Sequence, residues 1–383
     1  MPIAWRSSLS AEAQPALAVA LSARPLAVAA RRAGARAIAL DLFADEDTAI
    51  AASGCRKVAR ESSALAFDRE ALLEAVEEHR GKVSGLVYGA GFERDPTLLS
   101  TLDSSVRLLG NRAEVVAAVK DPLGFTALLA RLGVPHPQTA LEASTVGKWL
   151  AKRIGGSGGG HIALATSGAA APGHYFQRWV AGRAVSVLFL GDGRNAEVLG
   201  YSEQWASATA RMPFRYGGCV GPVMLDAKIE AAIDELCHEL TAALALVGIN
   251  SLDLLLDGER FHVLEINPRP GATLDVFDGR DGMALWLAHL EAVAGRLVPP
   301  GKMTGAPRAA AVVYAAMRLR IPLSFAWPDW SADRGRPGTV IESGEPVCTV
   351  MATAATPAEA RKIVEARARR LLERFEPLPP APT

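Results

Sequence analysis

Asp253, Glu265 and Asn267 are the residues of this chain whose types and spacing best suit chemistry. They lie in GINSLDLLLDGERFHVLEINPRPG, residues 248–271, where two apolar runs flank Asp257-Gly258, a turn dipeptide of β-hairpins. Two carboxylates and an amide oxygen, with no soft ligand beside them, suit a hard cation, Mg2+ or Mn2+. Side chains alternate faces along a strand, so the register decides whether the three act together. A three-residue loop, Asp257-Gly258-Glu259, pairs Leu256 with Arg260 and Asp253 with Val263, and puts Asp253, Val263, Glu265 and Asn267 on one face. A two-residue loop turns Asp253 to the other face.

A second stretch suits anions. Lys152 ends the run Trp149-Leu150-Ala151-Lys152, and Gly155-Gly156-Ser157-Gly158-Gly159-Gly160-His161 follows. Glycines without Cβ atoms let backbone N–H groups wrap phosphate oxygens, and Lys152 adds a point charge. No Gly-Lys-Ser/Thr follows, so this is not a Walker A loop. A flexible linker is the other reading. Further on, Arg211 and Arg215 in the aromatic, glycine-rich stretch 202–222, read as a loop, offer forks for a carboxylate or a phosphoryl group, Arg215 being preferred. Glu93 in Gly89-Ala90-Gly91-Phe92-Glu93 is placed to meet a substrate amine.

These pieces, in this order, resemble the ATP-grasp enzymes. The carriers are Lys120 before Asp121-Pro122, Lys152 with its glycine loop, Tyr175-Phe176-Gln177-Arg178-Trp179-Val180 before Gly182, and the Asp253…Glu265-x-Asn267-Pro268-Arg269 hairpin. The resemblance covers roughly residues 111–275. It extends more loosely to ATP-dependent carboligases related to biotin carboxylase and tyramine–glutamate ligase, and to proteins of methanofuran- or methanopterin-type cofactor pathways.

The resemblance implies that Asp253, Glu265 and Asn267 hold Mg2+ (or Mn2+). Lys120, Lys152, Gly156, Ser157, Gly158 and Gly159 would bind ATP phosphates, and Gln177 and the Val180 backbone would line the adenine. Arg269, with Lys152 and Arg215, would serve catalysis. The chain departs from the family where acids often stand, at Arg178 and Ala184, which puts ribose contacts in doubt. The implied reaction joins a small-molecule carboxylate to an amine through an acyl phosphate. Carboxylation with bicarbonate and a non-catalytic ATP-binding regulator are the alternatives, and a homodimer is left open.

The elements that must position these residues read as α/β (α+β): an ATP-grasp fold with an N-terminal Rossmann-like domain over 1–112, the ATP-grasp domain over 113–300 with a lid near 120–178, and a small C-terminal α/β module over 301–383. Strand Ala16–Leu21, a helix opened by Pro25 and capped by Gly34, and strand Ala37–Leu40 make a βαβ unit. Ser22-Ala23-Arg24 stands where a dinucleotide fingerprint would be, so NAD is disfavoured. Asp41, Asp45, Glu46 and Asp47 read as a solvated acidic loop or a substrate contact at the sheet edge. Helix Asp226–Val247 carries an apolar stripe for the core.

The chain has 383 residues, 50% hydrophobic and 21% charged, with formal net charge +0. That balance predicts no nucleic-acid or membrane surface. The four scattered cysteines form no CxxC or Cys/His cluster, so zinc and a disulfide framework are disfavoured. No leader and no long apolar run is read, so a cytoplasmic protein is expected. The tail PLPPAPT is expected to be disordered.

Overall fold

The structure is a computed structural model that describes residues 14–61, 65–165, 167–279, 284–298 and 303–380. Its N-terminal part is a parallel sheet of four strands in the spatial order Gly54–Lys57, Ala37–Asp41, Ala16–Val19, Leu86–Tyr88. The helix Arg24–Arg32 crosses from Ala16–Val19 to Ala37–Asp41, with Pro25 in its first turn and Gly34 left-handed (φ 73°) just past its end. The order reverses between Ala16–Val19 and Leu86–Tyr88. The crevice of an open α/β sheet forms at such a point, outside the carboxyl ends of the strands.

The centre is an eight-stranded antiparallel sheet in the order Arg260–Asn267, Val247–Asp257, Arg183–Asp192, Ala196–Ala206, Tyr216–Gly221, Arg308–Tyr314, Pro346–Thr353, Ser331–Ala332. Strands from both 113–300 and 301–383 therefore share one sheet. Arg183–Asp192 is buried on both faces. Val187 and Phe189 pack with Ile233, Leu236 and Leu240 of the helix Ala227–Leu244, while Leu188 and Leu190 pack with Leu285 and Trp286 of the helix Leu285–Val293. Tyr216–Gly221 is a strand rather than loop, because its glycines let Trp205 and the neighbouring strand Arg308–Tyr314 approach closely. The helix expected to reach Val247 stops at Leu244 on a left-handed Ala245 (φ 53°), and Val247 opens a strand.

A smaller sheet, in the order Thr139–Ala140, His174–Arg178, Trp149–Arg153, Ala163–Ala165, forms the lid. The three-stranded sheet Val340–Ile341, Leu319–Arg320, Glu376–Pro377 belongs to the C-terminal part. Glu376–Pro377 thus takes up the start of the tail expected to be disordered, and residues 381–383 lie outside the described residues. Among the described residues no helix is long and apolar enough to cross a membrane.

The acids after the second strand are not a solvated loop. Asp41 is fully buried and accepts from the Ala23, Phe43 and Ala44 N–H groups. Asp47 accepts from the Asp333 and Arg334 N–H groups of the C-terminal part, which cover this edge of the sheet. Burial pushes Asp45 up to about 8.

His289 pins the domains together. The Ile249 N–H donates to its Nδ1 (2.9 Å), so Nε2 carries the proton shared with Leu109 O (2.8 Å). Burial holds this imidazole down at about 4, against an ordinary 6.5. Between those values the unfolded chain binds the extra proton, so stability should fall as pH drops through that window. The loss is up to about 3 kcal/mol. Denaturant midpoints at pH 7 and pH 5, with His289→Gln as the control lacking this step, check it.

Candidate active site

The hairpin strands Val247–Asp257 and Arg260–Asn267 turn through Gly258-Glu259, with Gly258 left-handed (φ 61°) and Asp257 opposite Arg260. The loop is therefore two residues long, not three, and alone it would send Asp253 to the wrong face. A bulge at Leu264 restores the phase: Leu254 faces Val263 and Asp253 faces Glu265. One extra residue in one strand shifts every later side chain by one position. Asp253, Glu265 and Asn267 thus share a face, as expected, for a different reason. Asn267 Nδ2 donates to Asp253 Oδ2 at 3.0 Å.

Lys120 reaches this trio from a broken helix. Ala113–Lys120 ends because Pro122 disfavours a helical residue before it. Asp121 goes extended and caps the next helix, Pro122–Arg131, by accepting from the Leu123 N–H. Lys120 is left at the break, buried, with Nζ 3.0 Å from Glu265 Oε2 and 3.1 Å from Asn267 Oδ1. A cation is thus already seated on the two oxygens read as metal ligands.

Burial and then the neighbouring Glu265 raise the Asp253 carboxyl above its ordinary range. Burial would raise Glu265 too, but Lys120 and then Lys152 outweigh it and hold Glu265 low. The trio fits a hard cation that completes its shell with phosphate oxygens and water, since Mg2+ commonly takes only one or two carboxylates. Consistently, no group of three or more His, Cys, Asp or Glu arranged for a metal occurs among the described residues.

Across the cleft, Lys152 stands on the strand Trp149–Arg153 opposite Tyr175, and its Nζ donates to Gln177 Oε1 at 3.1 Å. Lys152 and Gln177 are both buried, and burial lowers the lysine's pKa, partly offset by Glu265. Arg178 points the other way. Its guanidinium lies over the Trp149 ring and bonds the Val146 carbonyl on the outer face of the lid, so this departure from the family pattern does not intrude on the cleft. Val180 is half-buried in the link from lid to central sheet, and Ala184 is on the strand Arg183–Asp192.

The glycine loop sits against this cleft, whose lining includes Lys120, Gly155, Gly156, His161, Gln177 and Glu265. Gly158 O accepts from the Tyr216 N–H at 2.8 Å. Gly159 is left-handed (φ 70°), and a Cβ there would collide with the Phe214 carbonyl. Gly156 is crowded by the His161 ring, and Gly155 by the backbone of Glu93. Gly159→Ala should therefore keep the loop from seating and raise the nucleotide Kd about tenfold, with a stability loss of only about 1 kcal/mol. A nucleotide titration checks it.

Arg269 and Arg215 are held differently. Arg269 follows the hairpin and its Nε donates to Glu93 Oε1 at 2.7 Å. Arg215 is buried with its guanidinium 3.7 Å above the Tyr314 ring and bonds Ser207 and Gly344 O. Its chain neighbours Phe214 and Tyr216 meet the glycine loop, and its own hydrogen bonds go to Ser207 and Gly344 rather than to the carboxylate trio.

Three residues escaped sequence reasoning. Gln204 Nε2 donates to Asp253 Oδ1 at 3.2 Å from the strand Ala196–Ala206; the stretch was read as a loop from residue 202, which hid it. His161 lines the cleft, held at about 4 by burial. Asn111 Nδ2 donates to Asn250 Oδ1 and Pro268 O, fixing the turn that carries Arg269. Its partners are too distant in sequence to be read.

Residues 119–273 match the family profile described as an ATP-grasp domain. The chain carries an ATP-grasp domain. Over 260 residues it is 24% identical to the carbamoyl phosphate synthase large chain of Rubrobacter xylanophilus, a match covering 58% of this chain and 24% of that one. The chain thus spans about a quarter of that relative. In fold it resembles the biotin carboxylase domain of Hydrogenobacter thermophilus 2-oxoglutarate carboxylase, solved with MgADP, ADP and bicarbonate (TM-score 0.71, 12% identity, 96% of this chain and 91% of that one). It also resembles an L-amino acid ligase from Bacillus licheniformis (TM-score 0.65, 15% identity, 96% and 99%). The ATP-grasp profile takes in Lys120, the glycine loop, Gln177 and the Asp253–Asn267 hairpin together.

Proposed function

We propose that this chain is an ADP-forming ligase that joins a small-molecule carboxylate to an amine. The observation that carries the reading is the single face shared by Asp253, Glu265 and Asn267, with Lys120 seated on it and Lys152 facing it across the cleft. ATP would lie between lid and central sheet, its adenine beside Gln177 and the Val180 backbone. Lys120, Lys152 and the amides of Gly156, Ser157, Gly158 and Gly159 would take the phosphates. Asp253, Glu265 and Asn267 would hold Mg2+ (or Mn2+), which when bound neutralises charge on the transferred phosphoryl group.

Arg269 would orient the substrate carboxylate toward the γ-phosphate. A carboxylate oxygen attacks phosphorus and ADP leaves; the amine then attacks the acyl carbon and phosphate leaves. No protein nucleophile is needed, because positioning and charge neutralisation carry phosphoryl transfer. Arg215 would contribute by supporting the seat of the glycine loop.

The likeness to an L-amino acid ligase along almost its whole length supports this reading. The likeness to a biotin carboxylase domain that holds bicarbonate favours a second one, carboxylation, in which Arg269 would bind that smaller anion. A non-catalytic regulator loses part of its support, since Arg178 faces away from the cleft. The test is ADP release from Mg-ATP with pooled amino acids and amines, with and without bicarbonate. A pool-dependent rise supports the ligase, a bicarbonate-dependent rise the carboxylase, and silence in both arms overturns the two.

A further inference from the structure

Glu93 is one of the most enclosed acids in the chain, and sequence reasoning had offered it to a substrate amine. All of its bonding capacity is turned inward. Oε1 accepts from Arg269 Nε at 2.7 Å, and Oε2 accepts from the Gly91 and Phe92 N–H groups at 2.9 and 3.1 Å. The Glu93 and Arg269 side chains are only 3% and 11% exposed. Burial would raise this carboxyl, but Arg269 and then Lys120 outweigh it and keep it ionised.

Two further contacts give the position meaning. The loop 89–93 leaves the strand Leu86–Tyr88 at the point where the N-terminal sheet reverses its order, and Gly89 lies against Pro270 O of the hairpin turn. Tyr88 Oη donates to the Asn111 carbonyl at 2.7 Å and lies 3.4 Å from the Pro268 carbonyl on the same side. At the other end, the Glu93 carbonyl and Arg94 Cα fill the space a Cβ on Gly155 would need. The glycine loop can therefore close on this segment only because Gly155 has no side chain, and the segment it closes on is the one that grips Arg269.

We propose that Glu93 is a positioning residue that ties the orientation of Arg269 to the seating of the glycine loop. A bound carboxylate on Arg269 and a closed lid would then favour each other through the 89–94 segment, because that segment has one conformation that satisfies both. The proposal rests on Arg269 facing the acid substrate, as in the ligase reading above.

The test uses the full chain with Glu93→Gln, which keeps the size but removes the charge, and Glu93→Asp, which keeps the charge but shortens the reach. With Mg-ATP and pooled amino acids as the carboxylate probe, Glu93→Gln should raise the carboxylate KM at least tenfold and the KM for ATP by a clearly smaller factor. Glu93→Asp should recover part of the loss. The effect should also be non-additive with Arg269→Lys, since both changes break one contact. Additive losses, or an ATP KM rising in step, would overturn the proposal and leave Glu93 a plain structural acid.

A second readout does not depend on the acid substrate. Hydrogen exchange at residues 155–160 should slow on adding MgADP to the wild type, and should slow much less in both Glu93 variants. If no acid drives ADP release, the ligase reading falls by itself, and this arm alone decides: unchanged protection in the variants overturns the coupling.

Discussion

Glu265→Gln is expected to lower ADP release at least about a thousandfold, a loss of about 4 kcal/mol of transition-state stabilisation. The fold should survive. Glu265 stands opposite Asp253 across the bulged ladder and holds Lys120 at 3.0 Å. Glutamine keeps an oxygen for Lys120, which also retains Asn267 Oδ1 at 3.1 Å, so the structural cost is that of weakening one charge-assisted bond, about 1–2 kcal/mol. What glutamine cannot supply is the second negative charge. With it the trio presents two carboxylates and an amide, a donor set for a divalent ion; without it one carboxylate remains, and Lys120 competes for it. Turnover, far-UV circular dichroism and MgADP titration should be measured side by side. Unfolded protein would make the turnover loss uninformative, so Asp253→Asn, whose carboxylate accepts from Asn267 and Gln204, serves as the second variant. Retained ADP release within tenfold in both would remove the metal assignment.

The hairpin also shows where sequence reasoning reaches its limit. The shared face was within reach of sequence reasoning because Asp253, Glu265 and Asn267 are close in sequence, on two strands joined by a two-residue turn. The register was not: Asp-Gly marks a turn but not its length, and the bulge at Leu264 has no residue signature. The helix break that presents Lys120 is local too, imposed by Asp121-Pro122. The acids after the second strand were misread because their burial comes from residues 331–336, almost three hundred positions downstream; Asp47 alone receives the Asp333 and Arg334 N–H groups. Glu93 failed in the same way. Its partner Arg269 is 176 residues distant, and an isolated acid after a glycine pair reads equally as a ligand contact. Local chemistry and periodicity can be read from a chain; the identity of a buried charge's partner comes only with the tertiary fold.

Arg24→Met should be the most destabilising single substitution considered for this chain. Arg24 occupies the position where a dinucleotide-binding fold would place its glycines. Here it is only 3% exposed and fastens three parts of the chain. Its guanidinium donates to both oxygens of Asp275, which follows the Asp253–Asn267 hairpin, and to both of Asp333 in the C-terminal part, at 2.7 Å to Asp275 Oδ2 and 2.9 Å to Asp333 Oδ2. Ser22 Oγ adds a bond to Asp333 at 2.8 Å. Asp333 is held left-handed (φ 54°) to make that reach, a conformation that costs a non-glycine residue about 1 kcal/mol or more.

Methionine fills much the same volume but leaves two carboxylates facing each other beside Asp41, Asp45 and Asp47. Removing one partner from a buried ion pair typically costs 3–5 kcal/mol, because the remaining charge is uncompensated. A drop in melting temperature on the order of 5 °C or more is the expected readout. Adding Asp275→Asn to Arg24→Met should restore part of it, since the stranded charge, rather than the lost contact, carries most of the cost. If the single variant melts with the wild type, the hub is not what joins the three segments. If the double variant is worse than the single, the cost lies in lost hydrogen bonds and not in charge.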